Sequence, residues 1–347
     1  MKGSVIALGQ IGGRDVAALM VDGVLQDLAL EIDGLAPGAI LRGTVGRPVK
    51  GLGGVFVDLP EGQTGFLRAP KGLAPGQAVL VQIAGVAEPG KALPLTLRLL
   101  FKSRYAIVTP EAPGLNVSRA IRDEDARADL TALATEAMAG ADESLGLILR
   151  SVCEAASEDE IADDIAQMRA LAEAVLADLE GKPELLVDAP GAHEQAWRDW
   201  GDVDTVDDSE DALDHTGALD QIEALARAEV QLEGGASMAI EATRALIAVD
   251  VNTGRDTSPA AGLKAGIAAA RDLPRQLRLR GLGGMVVVDF APVPKRDRHV
   301  VEQVLGKAFR ADGGETSLAG WTPLGNFELT RRRDRVPLAE WLEGAEA

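Results

Sequence analysis

The sequence predicts a multidomain α+β and α/β chain, with a small five-stranded barrel early on and a layered α/β unit in its last third. Three observations carry this reading. Short glycine-punctuated strands recur between residues 38 and 104, helical spacing marks 124–139 and 157–181, and the last third alternates strand and helix. With 347 residues, 46% of them hydrophobic, the chain has material for two or three compact units with cores of their own.

Taken in order, Val16–Val21, Asp22-Gly23 and Val24–Leu28 read as a hairpin, because an Asp-Gly pair between two short runs favours a tight turn. Strands follow at Ala39–Val45, Gly53–Asp58, Thr64–Leu67, Ala78–Ile83 and Leu93–Leu99, and their even spacing suggests a closed barrel of the OB class. In 157–181, Ile161, Ile165, Met168, Leu171, Val175 and Leu179 line one helical face, and Lys182-Pro183 ends the helix. Residues 201–216 are polar and acidic, and read as a mobile connection or a solvated face. Strands at Ala245–Val251 and Met285–Phe290 bracket a helix, and a second helix runs over 297–310. Pro274 is expected to interrupt and kink the first of these helices.

Composition excludes several classes. No window approaches the ~18 unbroken apolar residues of a membrane helix, and the start lacks a basic-then-apolar leader. One cysteine, Cys153, excludes a disulfide scaffold and any multi-cysteine zinc site, and three histidines leave little for a His-based centre. The chain therefore reads as soluble and cytoplasmic. Its net charge of −19 argues against nucleic acid only as a bulk number. Residues 151–233 hold 24 Asp/Glu against 4 Lys/Arg, and everything outside that window is nearly neutral. The acidity is local, so it cannot veto RNA or DNA binding elsewhere.

The chemistry points to two strand ends. Ala245–Val249 runs into Asp250, with Asn252 two positions on and Gly254 beyond, and the pattern repeats at Met285–Val288 with Asp289. A carboxylate at the end of a buried strand is costly unless paired or metal-bound, and the strand ends of α/β sheets are where ligands bind. Two such acids with an amide oxygen nearby suit a hard cation such as Mg²⁺ held over a phosphodiester. The plainer reading is that each Asp caps the turn or helix that follows. Arg271, Arg275, Arg278 and Arg280, then Lys295, Arg296 and Arg298, then Arg331–Arg333 and Arg335, form basic runs. They read either as a solvated helix face or as a phosphate track.

At these residues the sequence resembles the ribonuclease E/G family of single-strand-specific endoribonucleases. The likeness rests on AVDVNTGRDT (248–257), ARDLPRQLRLRGLGGMVVVDF (270–290) and NFELTRRR (326–333). It implies a Mg²⁺-dependent endoribonuclease (Mn²⁺ serving as substitute) that leaves a 5′-phosphate and a 3′-hydroxyl. Asp250 and Asp289 would hold the metal, Asn252 would position the attacking water or the phosphate, and no zinc is expected. It further implies an OB-fold barrel of the ribosomal S-one type inserted in an RNase H-like unit, followed by a DNase I-like α/β catalytic subdomain. The implied boundaries are 1–35 and 184–242 for the RNase H-like parts, 36–105 for the barrel, 106–183 for a 5′-end sensor and 243–347 for catalysis.

Within that frame GVFVDL (54–59) and TGFLR (64–68) supply Phe56 and Phe66 as rings to stack on RNA bases, unless both fill the barrel. Lys102 and Arg104, with Tyr105, would continue the RNA channel, and Arg275, Arg278 and Arg280 would track its backbone. GLILRS (146–151) would place Arg150 and Ser151 on the 5′-monophosphate of the substrate, with Ser where the family more often has Thr. The expected partner is single-stranded RNA in processing or decay, with no membrane. Any homo-oligomer would not be the family's zinc-linked tetramer, since the two-cysteine link is missing. Ala291-Pro292-Val293 follows Phe290 where the family commonly has I-D-M, which removes a third acid. The alternative expectation is a non-catalytic RNA-binding protein that keeps the fold.

Overall fold

The computed structural model describes residues 2–49, 51–68, 72–88, 90–201 and 203–346. The chain forms two compact units, Glu31–Asp204 and the pair of segments Met1–Leu30 and Thr205–Ala347. The first segment is an antiparallel meander of β1 (Ser4–Ile11), β2 (Arg14–Val21) and β3 (Val24–Leu30). Asp22 and Gly23 both take positive φ, 49° and 76°, which is the tight turn their dipeptide favours. Strand β1 has no counterpart in the sequence reading.

In the unit Glu31–Asp204, β4 (Ile40–Val49), β5 (Gly54–Asp58), β6 (Thr64–Arg68), β7 (Ala78–Ile83) and β8 (Leu93–Thr96) close into a five-stranded barrel. Four of its pairings are antiparallel, and β6–β8 is parallel. Alternation along the strands turns Leu41, Val45, Val57, Leu67, Val81 and Leu95 into one core. A four-stranded sheet follows, made of β9 (Phe101–Lys102), β10 (Ala106–Thr109), β11 (Gly114–Val117) and β12 (Gly146–Leu149). Helices α1 (Glu124–Ala137) and α2 (Glu158–Ala177) share its core, where Ile161, Ile165 and Val175 meet Val108, Leu147 and Leu149. A capping box of Ser157 and Glu160 starts α2. Strand β13 (Glu184–Val187) then joins the edge of β4, and α3 (Ala192–Asp199) ends the unit.

Of the stretch 201–216, residues 205–215 are more ordered than their polarity suggests. They hold β14 (Thr205–Asp207), which pairs in parallel with β1, and the short α4 (Ala212–His215). The partner strand lies some two hundred residues away, so no local pattern announces it. Helix α5 (Ala218–Leu225) packs Ile222 and Leu225 with Leu25 and Leu28 of the meander.

The rest is one six-stranded sheet with two helices on one face, and a last helix that packs Leu338 and Trp341 into the core of the meander. Its elements are β15 (Glu229–Gln231), β16 (Ser237–Ala242), β17 (Ile247–Asn252), α6 (Ala261–Leu279), β18 (Gly284–Asp289), α7 (Arg298–Asp312), β19 (Thr316–Trp321), β20 (Phe327–Arg331) and α8 (Leu338–Glu346). Strand order is β15-β16-β17-β18-β20-β19, and only β17–β18, joined through α6, is parallel. Val249, Val251, Val286 and Val288 face Leu273, Leu277, Val301 and Leu305 of α6 and α7. The alternate residues therefore lie on a face without helices. Contrary to expectation, α6 runs as one helix through Pro274, with Leu273, Pro274 and Leu277 all buried. Packing of that face offsets the hydrogen bond that proline cannot donate. No helix among the described residues is long and apolar enough to cross a membrane.

Candidate functional site

Strands β17 and β18 run in parallel with Asp250 directly in register with Asp289. Adjacent strands lie about 4.8 Å apart, so the two carboxylates emerge side by side from the uncovered face. Both residues are exposed, which corrects the expectation of buried strand-end acids: period-two alternation puts Val249 and Val288 inside and their Asp neighbours outside. Neither acid caps a helix, since the N-cap of α6 is Ala260 and that of α7 is Asp297. The amide nitrogen of Asn252, on the same face, donates to Asp250 Oδ2 at 2.8 Å. Among the described residues no Lys or Arg pairs with either carboxylate. Like charges placed directly opposite repel, so this pair favours a cation between them.

On the barrel, Phe56 and Phe66 are register partners across β5 and β6, with ring centroids 5.4 Å apart and planes at 63°. Neither belongs to the barrel core, and both are half-exposed on its outer surface. Gly54 makes this geometry possible: a Cβ there would lie 2.5 Å from the tip of the Phe66 ring. Arg68 is exposed on the same strand as Phe66 and on the same side.

Arg150 lies at the end of β12, where its Nη1 donates to the carbonyls of Ser103 (2.7 Å) and Arg198 (2.8 Å). Its Nη2 meets Asp199 Oδ1 at 3.1 Å, and Arg198 grips the other oxygen of that carboxylate at 2.8 Å. Burial works to raise the Asp199 pKa, but Arg198, Arg150 and Lys102 together hold it below the usual carboxylate value. The Ser151 hydroxyl is exposed at the start of a 3-10 turn beside this cluster. Arg104 stacks on Trp197 at 3.8 Å and donates to the carbonyls of Trp197 and Gly201. Its guanidinium is thus fixed in place, while Trp197 stays 55% exposed. Lys102 is exposed on β9. Cys153, next to this cluster in sequence, is buried and its thiol is pushed up to about 11 by that burial, which leaves it inert at neutral pH.

Arg271 is exposed on α6, but Arg275, Arg278 and Arg280 do not form an exposed phosphate track. Arg275 donates to the Leu25 carbonyl at 2.8 Å and to Asp272, and Arg278 donates to the Gln26 carbonyl at 2.8 Å. Arg278 also pairs with the buried Asp312, which Arg331 meets at 2.7 Å from the other side. Arg280, 8% exposed, donates to the carbonyls of Leu225 and Arg227. Their donors tie α6 to the β2–β3 hairpin and to the end of α5. Helical spacing alone cannot reveal carbonyl partners that are distant in sequence.

The ribonuclease E/G family profile matches residues 101–207 and 200–334. The chain belongs to the ribonuclease E/G family. Among curated relatives, ribonuclease E of Nostoc sp. (strain PCC 7120) is 28% identical over 92% of this chain and 54% of its own length. Ribonuclease G of Salmonella typhimurium (strain SL1344) is 26% identical over 90% of the chain and 76% of its own. Ribonuclease G of Haemophilus influenzae is 27% identical over 92% and 78%. The chain spans about half the length of the Nostoc relative.

In this ribonuclease E/G family chain the structure brings together Asp250, Asn252 and Asp289, and separately Phe56 with Phe66. It brings Lys102, Arg104 and Arg150 to the neighbourhood of α3, whose Trp197, Arg198 and Asp199 the sequence reading did not single out. Nothing in their spacing marks them, because their role appears only when α3 meets β9 and β12. Among the described residues there is no cluster of three His, Cys, Asp or Glu suited to a metal. Any ion at Asp250 and Asp289 would therefore have two protein carboxylates and keep water or phosphate on its remaining positions.

Proposed function

We propose that the protein is an endoribonuclease that cuts single-stranded RNA by Mg²⁺-assisted attack of water, in RNA processing or decay. The single observation that carries this is the register pair of Asp250 and Asp289, two carboxylates on one uncovered face with no counter-cation among the described residues. The donor set fits a hard divalent ion, which takes one or two carboxylates and fills its other positions with water and phosphate oxygens. Such an ion supplies charge stabilisation at the phosphodiester and a more acidic bound water. Asp250 and Asp289 would hold it, while the Asn252 amide fixes one Asp250 oxygen and leaves the other facing out. Water adds to phosphorus as the 3′-oxygen leaves, giving a 5′-phosphate and a 3′-hydroxyl.

In this reading the barrel is an OB fold, whose second and third strands form the binding surface, and Phe56 and Phe66 sit on those two strands. Stacked bases would gain ~1–3 kcal/mol each without sequence preference. The two sheets built by Met1–Leu30 and Thr205–Ala347 are read as the RNase H-like and DNase I-like parts. A 5′-monophosphate would be bound by Arg150 and Ser151, taking over from Asp199 on Arg150 Nη2. Arg150→Ala should then slow cleavage of monophosphorylated ends more than of hydroxyl ends; equal slowing would remove the sensor.

A second reading, an RNA-binding protein without cleavage, draws on the two-acid site and on Ala291-Pro292-Val293 beside it. Incubation of a 5′-monophosphorylated, AU-rich RNA with and without EDTA separates the two. EDTA-sensitive cleavage supports the nuclease, and intact RNA at high protein concentration supports the second reading.

A further inference from the structure

Beside Asp289 a groove of about 460 Å³ opens between the segment Phe290–Pro294 and the β19–β20 turn, closed by Arg298, Trp321, Leu324 and Gly325. Its walls mix polar and apolar surface, with Phe290, Val293 and Trp321 supplying apolar side chains and Leu324 93% exposed at the rim. Arg298 is the one cation among the described residues that line the groove. The guanidinium lies 4.6 Å over the Trp321 ring, which is itself braced by Phe290 and Phe327 at 5.5 Å. Among the described residues no carboxylate pairs with Arg298, and its Nε is buried without an acceptor. Gly325, at φ +106°, lets the turn close over this side chain: a Cβ there would lie 3.2 Å from Arg298 Nη2.

A guanidinium held by an indole face rather than by a carboxylate keeps its charge and its terminal donors for a ligand. Partial burial without a partner is costly, and a phosphate oxygen would relieve that cost. The volume fits one nucleotide, and a pocket that mixes apolar side chains with polar surface and a single cation suits a base or sugar joined to a phosphate. Asp289 at the mouth makes the groove continuous with the place where the cut phosphate would lie. We propose that this groove seats the nucleotide adjacent to the scissile bond, with its phosphate on Arg298 and its apolar part against Trp321 and Leu324. The proposal rests on the RNA-binding part of the functional reading above, and it assigns to Arg298 the backbone contact that the buried arginines of α6 cannot make.

The test pairs Arg298→Gln, Arg298→Lys and Leu324→Ser with a fluorescein-labelled single-stranded octamer and with copies carrying one methylphosphonate at successive positions. Anisotropy reads binding whether or not the RNA is cut, so loss of the nuclease reading leaves this test intact. Arg298→Gln should bind about tenfold more weakly, Arg298→Lys should recover part of that, and Leu324→Ser, which leaves the core untouched, should lose a few-fold. One methylphosphonate position should weaken the wild type as much as Arg298→Gln does and add nothing in that variant. Equal binding by wild type and Arg298→Gln, or additive losses at every position, overturns the proposal.

Discussion

Asp312 and the Asp250–Asp289 pair belong to the same layered sheet-and-helix unit and have opposite surroundings. Asp312 ends α7 with a side chain 2% exposed, clamped between Arg278 and Arg331. Asp250 and Asp289 face outward on adjacent strands, beside each other and with no pairing cation among the described residues. A buried acid that carries its own arginines is part of the fold, because removing either partner strands a charge in a dry place. Two exposed acids left in mutual repulsion add nothing to the fold and become useful only when a cation joins them. The position of an acid on the pleat, inside or outside, decides which kind it is.

That contrast can be broken from either side. The largest expected effect is on catalysis: Asp289→Asn should slow RNA cleavage by on the order of 10³-fold or more, with an unchanged or slightly higher melting temperature. A retained rate would take Asp289 out of the site. Asp312→Ala should do the reverse, lowering stability to urea by about 3–5 kcal/mol while the remaining folded protein still cuts. Loss of cutting without loss of stability would erase the distinction.

Phe66→Ala, on the barrel, should weaken single-stranded RNA binding by ~1–3 kcal/mol and leave the rate at saturating RNA unchanged. An unaffected dissociation constant would return Phe66 to a packing role. The smallest effect concerns His215, whose ring lies 2.5 Å from Asp207 and ties α4 to β14. The Asp207 hydrogen bond raises the His215 pKa above its ordinary value. That tie is therefore fully present below about pH 6.5 and is lost as pH rises through the folded-state pKa. An NMR titration should give a value above about 6.5 that falls back in Asp207→Asn; no difference between the two proteins would dissolve the tie.

The sequence made some of this legible and hid the rest for physical reasons. The barrel strands and the Asp pair are readable because evenly spaced, glycine-punctuated short runs and strand-end acids are local patterns, and β5 and β6 appear within a residue of their expected bounds. Burial of the acids was misjudged because a hydrophobic run does not show that one face of the sheet lacks helices. The roles of Arg275, Arg278 and Arg280 were hidden because their acceptors, such as the Leu25 and Gln26 carbonyls, are some 250 residues away. Strand β14 was masked by its acidity, and Trp197 and Arg298 acquire meaning only from neighbours on other elements. The barrel segment also sharpens the charge contrast, since residues 36–105 hold nine Lys/Arg against three Asp/Glu in a chain of net charge −19. RNA should therefore favour the barrel over the acidic stretch 151–233.

The central claim is that Asp250 and Asp289 together hold one divalent ion. Electron paramagnetic resonance titration of Mn²⁺ into the wild type, the Asp250→Asn/Asp289→Asn protein and Asp312→Asn tests it directly. One fewer bound Mn²⁺ per chain is expected in the double variant, and an unchanged number in Asp312→Asn. Equal stoichiometry and affinity in all three would contradict it.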